Sequence, residues 1–187
     1  MKYVEPIRDK RMLKEFIQYF IDQGNKRNYV MFMVGIYLGL RISDILLLRK
    51  RDLMGTYLMI EEQKTGNYKR AIIEPKLREI LDEYMENMSR TDLLFPSRNK
   101  DKKTGKIKPI DRTTAYKILK DAAKALDYDI PIGTHTLRKT FGYTFYTKHK
   151  DVAALQEYFG HEEQSVTLRY IGATQHDLDN KMTDLYD

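Results

Sequence analysis

The chain has 187 residues, 42% of them hydrophobic, with 33 Lys and Arg against 27 Asp and Glu, for a net charge of +6. That length and apolar content suffice for one folded domain with a core of its own and exclude disorder as the main state. The absence of cysteine excludes a disulfide framework, a cysteine zinc site and a thiol nucleophile, and fits a reducing, cytoplasmic setting.

The first residues, 1–8, form a short leader with neither the apolar core nor the cleavage site of a secretion signal. From Arg11 to Asp22 the residues Met12, Phe16 and Phe20 recur at spacing four, which predicts an amphipathic helix that Asp9 can cap. The longest apolar run, Tyr29 to Leu40, is 12 residues long. It falls well short of the ~20 that span a membrane and predicts a buried helix over about 28–39. A third helix is expected from Ile42 or Ser43 to about Lys50, with Ser43 or Asp44 supplying polar groups to its opening turn. Arg41, at the junction between these two helices, needs a counter-charge, either Asp44 or an outside anion.

The period then changes. Tyr57 to Ile60 and Ala71 to Ile73 are short β-prone runs around the turn Lys64-Thr65-Gly66-Asn67, which predicts a hairpin. Pro75 opens a helix that Leu77, Ile80, Leu81, Tyr84, Met85 and Met88 continue. The stretch 96–112 holds seven basic residues against Asp101 and Asp111, for a net +5, so nearly all the excess charge sits there. With Gly105 and Pro109 as breakers it reads as a basic loop, either solvated or in contact with phosphates. Further helices are expected at about 113–126, 136–148, 152–159, 163–170 and 176–186. The fold class is mainly α with a small antiparallel β-sheet (α+β), as a single domain over 1–187.

Several polar residues stand out. His135 and Arg138, at i and i+3, project from nearly one helix face and could meet one phosphate. His161 follows Gly160, which ends a helix. Tyr170 lies nine residues beyond His161, one of 14 tyrosines and by itself a packing residue. The four histidines are scattered, so no metal site is expected.

Arg41 in Gly-Leu-Arg-Ile-Ser-Asp, Lys64 in a hairpin, His135-x-x-Arg138, Gly160-His161 and then Tyr170 occur in an order that resembles the tyrosine recombinases, the phage integrase family. The resemblance covers about residues 9–186. It implies a catalytic domain for site-specific DNA cleavage and rejoining through a 3′-phosphotyrosine, with double-stranded DNA as partner and neither metal nor cofactor. Arg41 and Arg138 would hold the scissile phosphate, Tyr170 would attack it, and His135 would assist as base or orienter. Lys64 would protonate the 5′-oxygen, His161 would donate to the phosphate, and Asp44 would orient Arg41 or a neighbour. Lys100, Lys102, Lys103, Lys106 and Lys108 of the basic loop would contact the DNA backbone. The family's amino-terminal core-binding domain is not expected in this chain, because about eight residues precede the first helix. The carboxy-terminal helix over 176–186, with Leu178, Met182 and Leu185 on one stripe, would pack on its own domain or support self-association on DNA. A catalytically weak DNA-binding or regulatory module of the same fold, or a type IB topoisomerase-like activity, are the alternatives.

Overall fold

A computed structural model of the chain describes residues 3–64, 66–174 and 182–183. The expected helix over 176–186 therefore lies outside the described residues, apart from 182–183. Eight α-helices and two hairpins are seen among the described residues.

Helix α1 (Lys10–Asp22) opens as expected on Asp9, whose carboxylate accepts from the Arg11 and Met12 amides. It buries Phe16 and Phe20 against Phe32 of α2 (Lys26–Leu38), with ring centroids 5.9 and 4.8 Å apart. Helix α2 is apolar on nearly every side because it runs through the middle of the core, where Val30 to Gly35 and Leu38 are all buried. It stops at Gly39, whose φ of 55° is left-handed. A Cβ at Gly39 would also lie 2.3 Å from the Phe141 ring, so the position requires glycine twice over.

Helix α3 (Ile42–Leu47) is shorter than expected and lacks the predicted cap. Its N-cap is Arg41, with no side-chain cap bond, and Asp44 instead accepts from the Gln63 amide at 3.0 Å. The helix ends early because the buried Leu48 is drawn into extended backbone, where its carbonyl accepts from the Leu94 amide. A 3₁₀ turn, Lys50–Leu53, follows. Strands β1 (Tyr57–Glu61) and β2 (Tyr68–Ile72) pair antiparallel from Tyr57↔Ile72 to Glu61↔Tyr68, which gives the predicted hairpin. Helix α4 (Pro75–Met85) begins on Glu74 with proline in its first turn.

The basic stretch departs from expectation. It is a second two-stranded hairpin, β3 (Pro96–Lys100) with β4 (Ile107–Pro109), so the chain has two small sheets where one was predicted. The turn is held by Asp101, which accepts from the Lys103 and Thr104 amides and the Thr104 hydroxyl, and the Asp101 carbonyl accepts from Gly105. These local bonds outweigh the repulsion among the lysines, which a reading by charge alone could not weigh.

Helices α5 (Arg112–Ala125), α6 (Thr136–His149), α7 (Val152–Phe159) and α8 (Gln164–Ile171) follow their predicted spans to within a residue or two. Gly142 of α6 lets α7 and α8 approach: a Cβ there would lie 2.7 Å from Ile171 and 2.9 Å from Phe159. A second small core of Leu155, Phe159, Ile171 and Ala173 forms at this junction and fixes α8 beside α6. Residues 3–8 are strapped to the same region. The Ile7 amide donates to Thr140, Lys139 to the Val4 carbonyl, and Arg8 to the Gly172 carbonyl.

Candidate active site

The end of α2, the hairpin β1–β2 and helices α6 to α8 converge on one polar cluster. Arg138 is 2% exposed on the first turns of α6. Its guanidinium donates to the Gly39 carbonyl at 2.7 Å and the Phe159 carbonyl at 3.1 Å, and lies 4.2 Å from the Phe159 ring centroid. Two neutral acceptors thus orient a charge that they cannot cancel.

Within the protein, Arg41 does not pair with Asp44. Its counter-charge is Glu62, with Nη1 to Oε2 at 2.5 Å. Glu62, 5% exposed, also takes Lys69 Nζ at 3.2 Å. Lys69 donates in turn to the Tyr158 carbonyl and lies 4.1 Å from the Tyr158 ring centroid. Burial, with Arg138 nearby, lowers the Lys69 ammonium to about 8, against the pull of Glu62. Neither Glu62 nor Lys69 was singled out from the sequence. The signal was present: Leu58 and Ile60 alternate inward along β1, and Glu62, one residue past its end, continues that alternation and is buried.

Asp44, 3% exposed, has its carboxyl raised by burial. One of its oxygens is bound to the Gln63 amide and the other has no hydrogen-bond partner. It therefore holds the hairpin turn next to Lys64, and not Arg41. Lys64 itself is exposed on that turn, outside the buried cluster.

Tyr170 lies near the end of α8, and its hydroxyl is 3.2 Å from His135 Nδ1. Burial pushes the phenol up from its ordinary value, while Arg138 and Arg41 pull it down. His135 caps α6. Its imidazole is held below the ordinary histidine range first by burial and then by Arg112, Arg138, Lys139 and Arg41. His161 Nδ1 is 2.9 Å from the Thr167 hydroxyl, and its ring centroid is 5.3 Å from that of Tyr170. It too is lowered by burial, then by Arg138, Arg41 and Lys69. Lys139, another residue the sequence reading passed over, lies 5.3 Å from the Tyr170 ring centroid.

The structure thus brings His135, Arg138 and His161 beside Tyr170, with Arg41 close enough for its charge to act on the phenol and Asp44 beneath the hairpin. Lys100, Lys102, Lys103, Lys106 and Lys108 are all exposed on the second hairpin, as a contact surface for a polyanion requires.

A family model described as the phage integrase family matches residues 9–176. The chain belongs to the phage integrase family, the tyrosine recombinases. As a member it is an enzyme of DNA strand breakage and rejoining. It is 42% identical over 173 residues to the probable integrase/recombinase YoeC of Bacillus subtilis (strain 168), an alignment that covers 92% of this chain and 91% of the relative. It is 27% identical over 166 residues to tyrosine recombinase XerD of Halalkalibacterium halodurans, covering 88% of this chain and 54% of XerD. The chain thus spans most of YoeC but about half of the longer tyrosine recombinase. The fold is similar to that of the XerH site-specific recombinase solved in a post-cleavage complex with palindromic difH substrate. There the TM-score is 0.70 at 19% identity, over 100% of this chain and 54% of that one. Among the described residues, no helix is long and apolar enough to cross a membrane.

Proposed function

We propose that residues 1–187 form one catalytic domain that cleaves and rejoins double-stranded DNA in the cytoplasm through a covalent bond to Tyr170. The observation that carries this reading is the position of the Tyr170 hydroxyl, 3.2 Å from His135 and adjoining the guanidinium of Arg138. A phenol is otherwise a weak nucleophile, with a free pKa of ~10.

A phosphodiester enters between Arg41 and Arg138, whose forked donors match its two non-bridging oxygens and oppose the charge that grows on them at the transition state. His135, neutral because it is buried among cations, accepts the phenolic proton as the tyrosine oxygen bonds to phosphorus. The bond from phosphorus to the 5′-oxygen breaks, and Lys64 gives that oxygen a proton. The products are a 3′-phosphotyrosine and a 5′-hydroxyl. His161, steadied by Thr167, donates to the phosphate. Asp44 acts on the leaving-group side, tying the turn next to Lys64 through the Gln63 amide. Rejoining reverses these steps and needs no external energy, because the phosphodiester bond is stored in the protein–DNA link. Lys100, Lys102, Lys103, Lys106 and Lys108 neutralise flanking phosphates, and the segment 176–186 supports self-association on DNA.

The test is a duplex carrying a nick just beyond the cleaved bond, so that the freed end diffuses away. The chain should accumulate a complex that survives denaturation, and Tyr170→Phe should form none. The absence of any such complex on sites that the protein binds tightly would contradict the proposal.

A further inference from the structure

The mechanism above leaves Glu62 without a task, although it is the anion nearest to Arg41. Its carboxylate is shared between two cations, with Arg41 at 2.5 Å and Lys69 at 3.2 Å. The Glu62 and Lys69 side chains are 6% and 7% exposed, so water does little to screen either contact. A carboxylate and a phosphodiester present a guanidinium with the same pair of acceptor oxygens, so both suit the Arg41 fork. They cannot share it comfortably, because two anions side by side in a buried site repel.

Two details decide which of them yields. The contact between Arg41 Nη1 and Glu62 is close in charge but lacks hydrogen-bond alignment, so the Nη1 donor is not directionally committed to the carboxylate. Lys69, in contrast, is pinned by the Tyr158 carbonyl and ring and cannot follow an incoming phosphate. Asp44 and Arg138 also face the group, but Asp44 is engaged with the hairpin and Arg138 with two carbonyls.

Resting on the assignment of Arg41 to the phosphate, we propose that Glu62 is a built-in competitor for that phosphate: in the DNA-free chain its carboxylate neutralises Arg41, and an arriving phosphodiester displaces it onto Lys69. Glu62 is thus a positioning residue that keeps the empty pocket from holding an uncompensated guanidinium. Lys69 is the counter-charge that makes the exchange possible. An internal competitor lowers apparent affinity by the fraction of time it occupies the site.

The experiment titrates the purified chain with sodium tungstate, a tetrahedral oxyanion, by calorimetry. Glu62→Gln retains the shape without the charge and should bind tungstate about tenfold more tightly than the parent, by release of that internal competition. Binding equal to or weaker than the parent's, or no binding by either, overturns the proposal. Lys69→Met traps Glu62 on Arg41 and should bind about fivefold more weakly, the penalty of a second anion with no counter-charge. Unchanged or tighter binding by this variant also overturns it, and this arm remains decisive if Glu62→Gln does not fold. Adding Glu62→Gln to Lys69→Met should restore binding, which a purely structural role would not do. Adding Arg41→Ala to Glu62→Gln should abolish the gain. If the gain survives without Arg41, the phosphate assignment of Arg41 fails, and not the competition alone.

Discussion

The Tyr170 hydroxyl and His135 Nδ1 lie 3.2 Å apart although 35 residues separate them in the chain. The contact exists because two helices meet end to side. His135 caps the start of α6, and α8 is laid against α6 through the gap that Gly142 leaves. The opposed influences on the phenol, burial upward and two guanidinium groups downward, give a side chain that keeps its proton until a phosphate and a base are both present.

The two arginines differ in what their loss should do. Arg138 satisfies two buried carbonyls, so Arg138→Ala should cost about 3–6 kcal/mol of folding stability, at a charged hydrogen bond's worth for each. Arg41 bonds no carbonyl in this way but pairs with the buried Glu62, which keeps Lys69 as a second counter-charge, so Arg41→Ala should cost less, about 1–3 kcal/mol. Each should lower the cleavage rate by about 10²- to 10³-fold, the typical cost of losing one transition-state donor. Urea denaturation beside single-turnover cleavage separates the two effects, and cleavage within tenfold of the parent in either variant removes that arginine from the proposed role.

The histidines predict a pH dependence of definite sign. Burial places His135 and His161 below the ordinary value of 6.5, so the folded state takes up their protons later than the unfolded state. Their contribution to stability is therefore complete above pH 6.5 and is lost as pH falls through the folded values. Melting temperature should fall from pH 7 to pH 5, less steeply in a His135→Gln variant. The acid limb of the cleavage profile should lie below pH 6.5.

Lys69 acts in a separate window. It holds its proton to about pH 8 when folded and to 10.5 in the ordinary case, so between these values the unfolded state binds more protons and stability from this group rises with pH. Comparing urea denaturation at pH 7.5 and 9.5, Lys69→Met should lose that rise. An unchanged difference between the two pH values would contradict the burial of a charged lysine there.

The basic hairpin predicts a salt effect. Neutralising Lys100, Lys102, Lys103, Lys106 and Lys108 should weaken DNA binding for all sequences and flatten its salt dependence by ~0.9 log units per lost phosphate contact. Filter binding between 50 and 200 mM salt measures the slope, and an unchanged slope would place the hairpin off the DNA.

Much of this arrangement is legible in the sequence, for identifiable reasons. Asp9, Gly39, Pro75 and Gly160 punctuate helices through local chemistry, so the boundaries near them were readable. The residues of the site could be listed from the ordered motifs that carry the family resemblance. The pairing of Arg41 was not legible, because its partner Glu62 lies 21 residues away, just past the end of β1, and only tertiary packing brings it there. The buried position of Asp44 was missed for the same reason: its bond to Gln63 joins a helix to a hairpin turn. The second hairpin was missed because its cue, Asp101 with Thr104 and Gly105, is turn chemistry hidden in a run of lysines.

The most direct measurement of the central claim is the identity of the covalently modified residue. The denaturation-resistant complex formed on nicked duplex DNA would be trimmed by nuclease and protease and sequenced by mass spectrometry. The account predicts a nucleotide phosphate on Tyr170, and none in Tyr170→Phe. A phosphate on any other side chain, or an unchanged yield of complex from the phenylalanine variant, would contradict it.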